Sequence, residues 1–386
     1  MRVALSAIGK FHTFDLAREL NARGALTAIF TGYPYFKLKN ENLSKELIHT
    51  FPWVHGSYMA FPWKHCLPHS VIQQWEHLNA ISFGAWVARS LPECDIYVGL
   101  SGSTLPAGKK AKQNSAHYVC DRGSSHILFQ NELLRDEHEL WGLNYVGVDP
   151  RNIAREEAEY SEADCITVPS GFVLDSFVNQ GVPSEKMRLL PYGVNLSRFQ
   201  PVDQPTSGRF DILFVGGMSL RKGVQYLVQA YQKINSSAKS LTFVGAPSHE
   251  LIALLTARGL WPSDAIVLGH VPQTELKNLM SRSHVLVLPS IEEGLAMVQA
   301  QAMACGCPVV ASRNTGGEDL FSDGCEGYIV PIRDVDALAE RLQYMADHPE
   351  DRAIMAHRAL QRVHSIGGWR DYGANAMAIY GELMHK

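Results

Sequence analysis

The sequence predicts an α/β protein of two consecutive parallel-sheet domains, on three observations. Short apolar, β-branched runs alternate with helical patterns along nearly the whole chain. The runs are continuously apolar rather than alternating, as strands covered on both faces require. The alternation breaks once, at 199-FQPVDQPTSGR-209, where two prolines, a serine and a glycine in a polar stretch read as a linker before the same pattern restarts. The expected domains are 1–200 and 201–366, with 367–386 forming a terminal helix that packs back on the first.

In the first half, strands are expected at 2–8, 25–31, 95–101, 117–121, 165–170 and 187–193. A helix at 12–24 puts Phe14, Leu16, Ala17 and Leu20 on one face and ends at Gly24. In the second half, strands are expected at 210–216, 240–246, 265–270, 284–290, 308–312 and 327–332. Helices are expected near 222–234, 273–281, 295–304, 334–346 and 350–364, and 368–386 is amphipathic. Open parallel sheets bind ligands beyond the carboxyl ends of their strands, so two such domains face each other across a binding cleft.

Composition sets limits on function. The 386 residues are 46% hydrophobic and 19% charged, an ordinary globular balance. A net charge of -4 leaves no basic excess to meet nucleic acid. No run approaches the roughly 20 apolar residues of a membrane span, and MRVALSAIGKF reads as a first strand rather than a secretory signal. The expected location is cytoplasmic. Seven scattered cysteines argue against a disulfide framework, and Cys305-x-Cys307 lacks the second pair a metal site needs. No metal is expected.

Three strand-to-helix turns in the second half could hold a ligand. In 212-ILFVGGMSLRKGVQYLVQAY-231, Gly216 and Gly217 permit close backbone approach. Arg221 and Lys222, at the start of a helix, suit a diphosphate or a solvated loop equally. In 289-PSIEEGLAMVQAQAMA-304, a helix starting near Leu295 would present the N–H groups of Ala296, Met297 and Val298 to an anion. Glu293 at that turn either stabilises the helix start or accepts from ligand hydroxyls. The third, 311-ASRNTGGEDLF-321, shapes the cleft. In the first half, 6-SAIGKFHT-13 offers Gly9 and Lys10 but no G-x-G-x-x-G fingerprint. In 117-HYVCDRGSSHILFQ-130, His126 is either a neutral donor to a sugar hydroxyl or phosphate oxygen, or part of a helix-start cluster with Asp121 and Ser124.

Together these segments resemble glycosyltransferase family 4, retaining nucleotide-sugar glycosyltransferases of the GT-B fold, in which two Rossmann-like domains face each other across a cleft. The most specific match is 285-VLVLPSIEEGLAMVQAQAMACGCPVVASRNTGG-317; 213–230, 268–290 and 163–201 match in the same order. The resemblance implies that Glu293 meets hydroxyls of the donor sugar, and that Arg221 and Lys222 meet its phosphates. Gln301, where the family's second glutamate falls, would meet the ribose. His126 would match the family's histidine near the sugar. Gly9, Gly216, Gly217, Val271, Ser290, Gly294, Leu295, Ala296, Met297 and Val298 would complete the donor site. Where the family often has an arginine, this chain has Gly217, and Arg221 would supply that charge.

The implied activity is that of a hexosyltransferase-type enzyme (EC 2.4). It would transfer a sugar from a UDP-, GDP- or ADP-sugar to a glycan, lipid or small-molecule hydroxyl, without cofactor or metal. Gln301 and Gly217 keep open a non-catalytic sugar-nucleotide-binding subunit acting through a partner; an epimerase on the same fold is a third reading. The aromatic, basic stretches 32-GYPYFKLKN-40 and 52-PWVHGSYMAFPWKHCLP-68 suit a lid, an acceptor groove or a peripheral contact with the inner membrane face.

Overall fold

The computed structural model describes residues 1–63 and 66–385. Lys64 and His65, from the aromatic stretch 52–68, and Lys386, at the end of the expected terminal helix, lie outside the described residues.

Among the described residues the strands form two parallel sheets. The first contains β1 (Val3–Ala7), β2 (Leu26–Thr31), β3 (Ile48–Thr50), β4 (Ile96–Leu100), β5 (His117–Asp121), β6 (Cys165–Val168) and β7 (Met187–Leu189), in the order β3-β2-β1-β4-β5-β6-β7. The second contains β8 (Phe210–Val215), β9 (Lys239–Val244), β10 (Ile266–Gly269), β11 (Val285–Leu288), β12 (Val309–Ser312) and β13 (Gly327–Val330), in the order β10-β9-β8-β11-β12-β13. Both are doubly wound, with order reversing beside β1 and beside β8, which opens a crevice at the carboxyl ends of those strands.

The apolar runs become strands because both faces are covered. Every residue of β11 is 0% exposed, and β1 and β12 are buried throughout. Burying one such Val or Leu is worth about 1.5–3 kcal/mol, so these central strands anchor the turns that follow them. The structure adds β3, which the sequence pattern did not predict. It is a three-residue edge strand in which only Ile48 is buried, too short to leave a periodic signal.

The helix Trp369–Met384 returns from the second domain and lies against the helix Thr13–Ala22 of the first, burying Tyr372, Ile379, Tyr380 and Leu383. Arg23 donates to the carbonyl of Arg370 there, at 2.7 Å. No helix among the described residues is long and apolar enough to cross a membrane.

Candidate functional site

A cleft of about 1010 Å³ opens between the two domains, at the carboxyl ends of both sheets. Lys10, His12 and Arg122 line its first-domain wall; Arg221, Glu293 and Met297 line the opposite wall.

The second-domain wall rests on two glycine-dependent turns. After β8 the chain passes through Gly216 and Gly217 to Arg221 and Lys222, then through Gly223, whose φ of +69° starts the helix Val224–Lys233. A Cβ on Gly223 would lie 1.9 Å from the carbonyl oxygen of Pro289, so only glycine lets this turn sit on the turn after β11. The contact brings three expected residues together. Arg221 Nη2 is 3.4 Å from Glu293 Oε1, and Lys222 Nζ pairs with the same oxygen.

The next helix starts later than the sequence suggests, at Met297, and ends at Ala304. The Ala296 N–H donates to the carbonyl of Thr315 at 3.2 Å, which holds Leu295 and Ala296 out of the helix. This corrects the expectation that Ala296 offers an N–H to a ligand; Met297 and Val298 occupy the first two helical positions instead. Ser290 is also corrected. It is 0% exposed and its hydroxyl is sealed away from the cleft without a partner among the described residues. Leu295 reaches the cleft wall, whereas Val271, Val298 and Gln301 are half-buried and outside its lining. Gly9 is buried beneath the ring of Phe11, beside the cleft residue Lys10.

His126 belongs to the first domain's interior rather than to the cleft. It is 3% exposed, and its ring packs between Tyr160 and Phe177 at centroid distances of 5.0 and 4.9 Å. Its Nδ1 accepts from the N–H of Leu128 and caps the helix Ile127–Leu140. Burial, helped by the charge of Arg122, lowers its pKa to about 4, so the ring is neutral. The second of the two sequence readings, a helix-start cluster, therefore describes it, with His126 itself as the cap.

Glu292 and the pair His12–Asp121 were not singled out from the sequence. The Glu292 carboxylate is 0% exposed and accepts from the first domain: from Ser125 N–H (3.1 Å), Ser125 Oγ (2.8 Å) and Gln130 Nε2 (2.8 Å). Arg221 Nε lies 3.0 Å from its Oε2. Burial alone would raise its pKa; Arg221, Gln130 and Ser125 together hold it below the ordinary carboxylate value. His12 Nε2 is 2.6 Å from Asp121 Oδ2. No local motif signals that pair, since 109 residues separate them and only the adjacency of β1, β4 and β5 joins them.

Two doubly wound domains with a cationic turn and a helix start on the cleft wall define a two-domain architecture whose cleft suits an anionic ligand. Residues 209–348 match the family model described as Glycosyl transferases group 1. The chain is 31% identical over 209 residues to D-inositol 3-phosphate glycosyltransferase of Arthrobacter sp. (strain FB24), covering 49% of this chain and 48% of that protein. It is 26% identical over 230 residues to MMP alpha-(1->4)-mannosyltransferase of Mycolicibacterium hassiacum, covering 58% and 55%. The chain thus spans about half the length of the curated relatives it matches. Over the full fold it is similar to sucrose-phosphate synthase of Thermosynechococcus elongatus, with a TM-score of 0.76, 20% identity and coverage of 100% and 99%. It is also similar to Anabaena HepE in complex with UDP and glucose, with a TM-score of 0.71, 16% identity and coverage of 99% and 100%. The match to the group 1 glycosyl transferases lies in the second domain, and the overall fold is GT-B.

Proposed function

We propose that this chain is a retaining glycosyltransferase that moves a sugar from a nucleotide-sugar donor to an acceptor hydroxyl. The observation that carries the reading is the convergence of Arg221, Lys222 and Glu293 at the cleft wall, beside the helix that starts at Met297. Breaking a glycosyl–phosphate bond leaves negative charge on the departing diphosphate. Two cations and the positive end of a helix, fixed before the reaction, stabilise that charge without reorganisation. Glu293 then accepts from hydroxyls of the donor sugar. UDP-sugars are the first donors to test, because HepE was solved with UDP and glucose; GDP- and ADP-sugars complete the panel. The acceptor is a sugar, glycan or lipid-linked hydroxyl, and the reaction needs no bound metal. The reading includes a cytoplasmic location with peripheral contact at the inner membrane face, supported by the exposed side chains of Trp53 and Trp63.

The test is incubation with UDP-, GDP- and ADP-sugars, with and without acceptors. Nucleotide release that requires an acceptor supports transfer, and NMR of the product gives the anomeric outcome. Binding without turnover would favour a non-catalytic subunit. Arg221→Ala and Lys222→Ala should each lower kcat by about 100-fold, the usual cost of removing one group that stabilises transition-state charge. Their circular dichroism should be unchanged. Near-normal rates in both variants would overturn the assignment.

A further inference from the structure

We propose that Glu292 is a positioning residue for sugar transfer: it aims the Arg221 guanidinium at the donor's phosphates, and Ser125 and Gln130 of the first domain hold it in place. The proposal rests on the glycosyl-transfer reading and deepens it. It makes the phosphate-binding turn of one domain depend on contacts with the other.

The Glu292 carboxylate does not serve the donor directly. It is 0% exposed and absent from the cleft lining, whereas Glu293 lines the cleft. Its donors come instead from the protein. Ser125 N–H, Ser125 Oγ and Gln130 Nε2 reach it from the first domain. From the second, Arg221 Nε lies 3.0 Å from its Oε2 and donates to the main-chain carbonyl of Glu292 at the same distance. A buried carboxylate is costly unless donors surround it, so the first-domain groups fix where Oε2 sits. Oε2 in turn fixes the inner edge of the guanidinium.

The outer edge is left for a ligand. The main chain of Arg221 is tied to the turn after β11, where its carbonyl accepts from Ile291 N–H at 2.7 Å. Its long side chain would still sample many rotamers without an anchor. The anchor at Nε leaves Nη2 at 3.4 Å from Glu293 and Nη1 without a hydrogen-bond partner among the described residues, on a side chain that lines the cleft. Once Glu293 turns to the donor's hydroxyls, Glu292 is the carboxylate that still holds Arg221. The holding groups are themselves fixed. Arg122 Nε and Nη2 donate to the Ser125 carbonyl at 3.1 and 2.9 Å, and Nη1 pairs with Glu156 at 2.5 Å. Arg122 Nη2 also donates to Gln130 Oε1 at 3.4 Å, which turns the Gln130 NH₂ towards Glu292. A cation set in this way stabilises the departing diphosphate without moving as the charge develops.

The test uses the full chain, with the donor identified by the panel above. Glu292→Gln should lower kcat by about 10–100-fold, the scale of a misplaced charge-stabilising group. Donor affinity by calorimetry should stay within about threefold, because the charge of Arg221 is still present to bind the ground state. Gln130→Ala, made in the other domain, should slow transfer about fivefold in the wild-type background and less than about twofold in Arg221→Ala. A contact that only held the domains together would slow both backgrounds alike, and this cycle tests the same step if Glu292→Gln folds poorly. Nitrogen-15 NMR without donor gives a readout apart from turnover. The Arg221 Nε–H should exchange slowly with water in the wild type and faster in Glu292→Gln and Gln130→Ala. A folded Glu292→Gln with kcat within threefold of wild type, equal slowing by Gln130→Ala in both backgrounds, or an unprotected Nε–H in the wild type would overturn the proposal. A wild-type chain with a protected Nε–H that binds donor but transfers nothing would instead overturn the transferase reading.

Discussion

Glu292 and Glu293 are adjacent in the chain and share Arg221, but only the Glu292 carboxylate also reaches the first domain. Glu292 accepts from Ser125 and Gln130 across the domain boundary, whereas Glu293 pairs with Arg221 and Lys222 of its own domain. Arg221, Lys222 and Glu293 were legible in the sequence because each lies on a strand–turn–helix junction whose chemistry is local. The pairing of His12 with Asp121 was not, because only the sheet order brings them together. His126 drew attention from the same loop as Asp121, and its burial sets its behaviour. Its pKa of about 4 lies below the ordinary 6.5. Below pH 6.5 the unfolded chain therefore binds a proton that the folded chain refuses, and this contribution to stability is lost as pH falls towards 4. His126→Asn keeps a side-chain cap and removes the titration. Between about pH 7.5 and pH 5 its Tm should fall less than the wild type's; parallel pH curves would refute the burial argument. Gln301 tests a different placement. If it meets the ribose, Gln301→Glu restores a charged acceptor and should raise nucleotide affinity by about fivefold in calorimetry. Unchanged affinity would mean that the ribose binds elsewhere.

At the scale of elements, the turn 289–296 packs directly on the first domain. A Cβ on Gly294 would lie 1.7 Å from the carbonyl oxygen of Gly123. Ser170 Oγ donates to the carbonyl of Gly294 at 2.6 Å, and the Gly171 N–H donates to Asp319 at 2.9 Å. Gly294→Ala must therefore push the domains apart rather than disturb the second domain alone. The expected result is a larger radius of gyration in solution scattering, faster proteolysis within 199–209, and at least tenfold slower transfer for a loss of about 1.4 kcal/mol in transition-state stabilisation. An unchanged radius with full activity would show that the closed contact is not needed. The strand–helix alternation was legible because buried parallel strands are continuous apolar runs. Edge strand β3 and the delayed helix start at Met297 were not, because a single buried residue and a tertiary bond from Ala296 to Thr315 set them.

Across the whole molecule, buried polar groups tie the domains along one side of the cleft. Glu137, 0% exposed on the first domain, accepts from Gln225 (2.8 Å), Tyr226 (2.7 Å) and Arg333 (2.7 Å) of the second. Together with Glu292 these bonds fix the spacing between the His12 wall and the Arg221 wall. The aromatic segment 52–78 of the first domain is built differently. None of the described residues from 52 to 78 is buried, although Trp53, Val54, Met59, Trp63, Val71 and Trp75 lie among them. Trp53 is 77% exposed and Trp63 65%. The segment contains one lysine and one glutamate, and Glu76 is tied to the hydroxyl of Tyr58 at 2.9 Å. An exposed, nearly uncharged, tryptophan-rich surface of this kind suits the interfacial layer of a membrane. It stands beside the loop after β2, with His55 against Tyr33 at 5.3 Å, so docking there would bring a lipid-linked acceptor to the first-domain side of the cleft. In sedimentation with vesicles of phosphatidylcholine and phosphatidylglycerol, the wild type should pellet. The double variant Trp53→Ser, Trp63→Ser should bind about tenfold more weakly, as the loss of two interfacial aromatic side chains implies. Its Tm should be unchanged, because both side chains are exposed. A wild type that stays in the supernatant, or a double variant that pellets equally, would remove the membrane from this account and leave the segment as a lid or an acceptor groove.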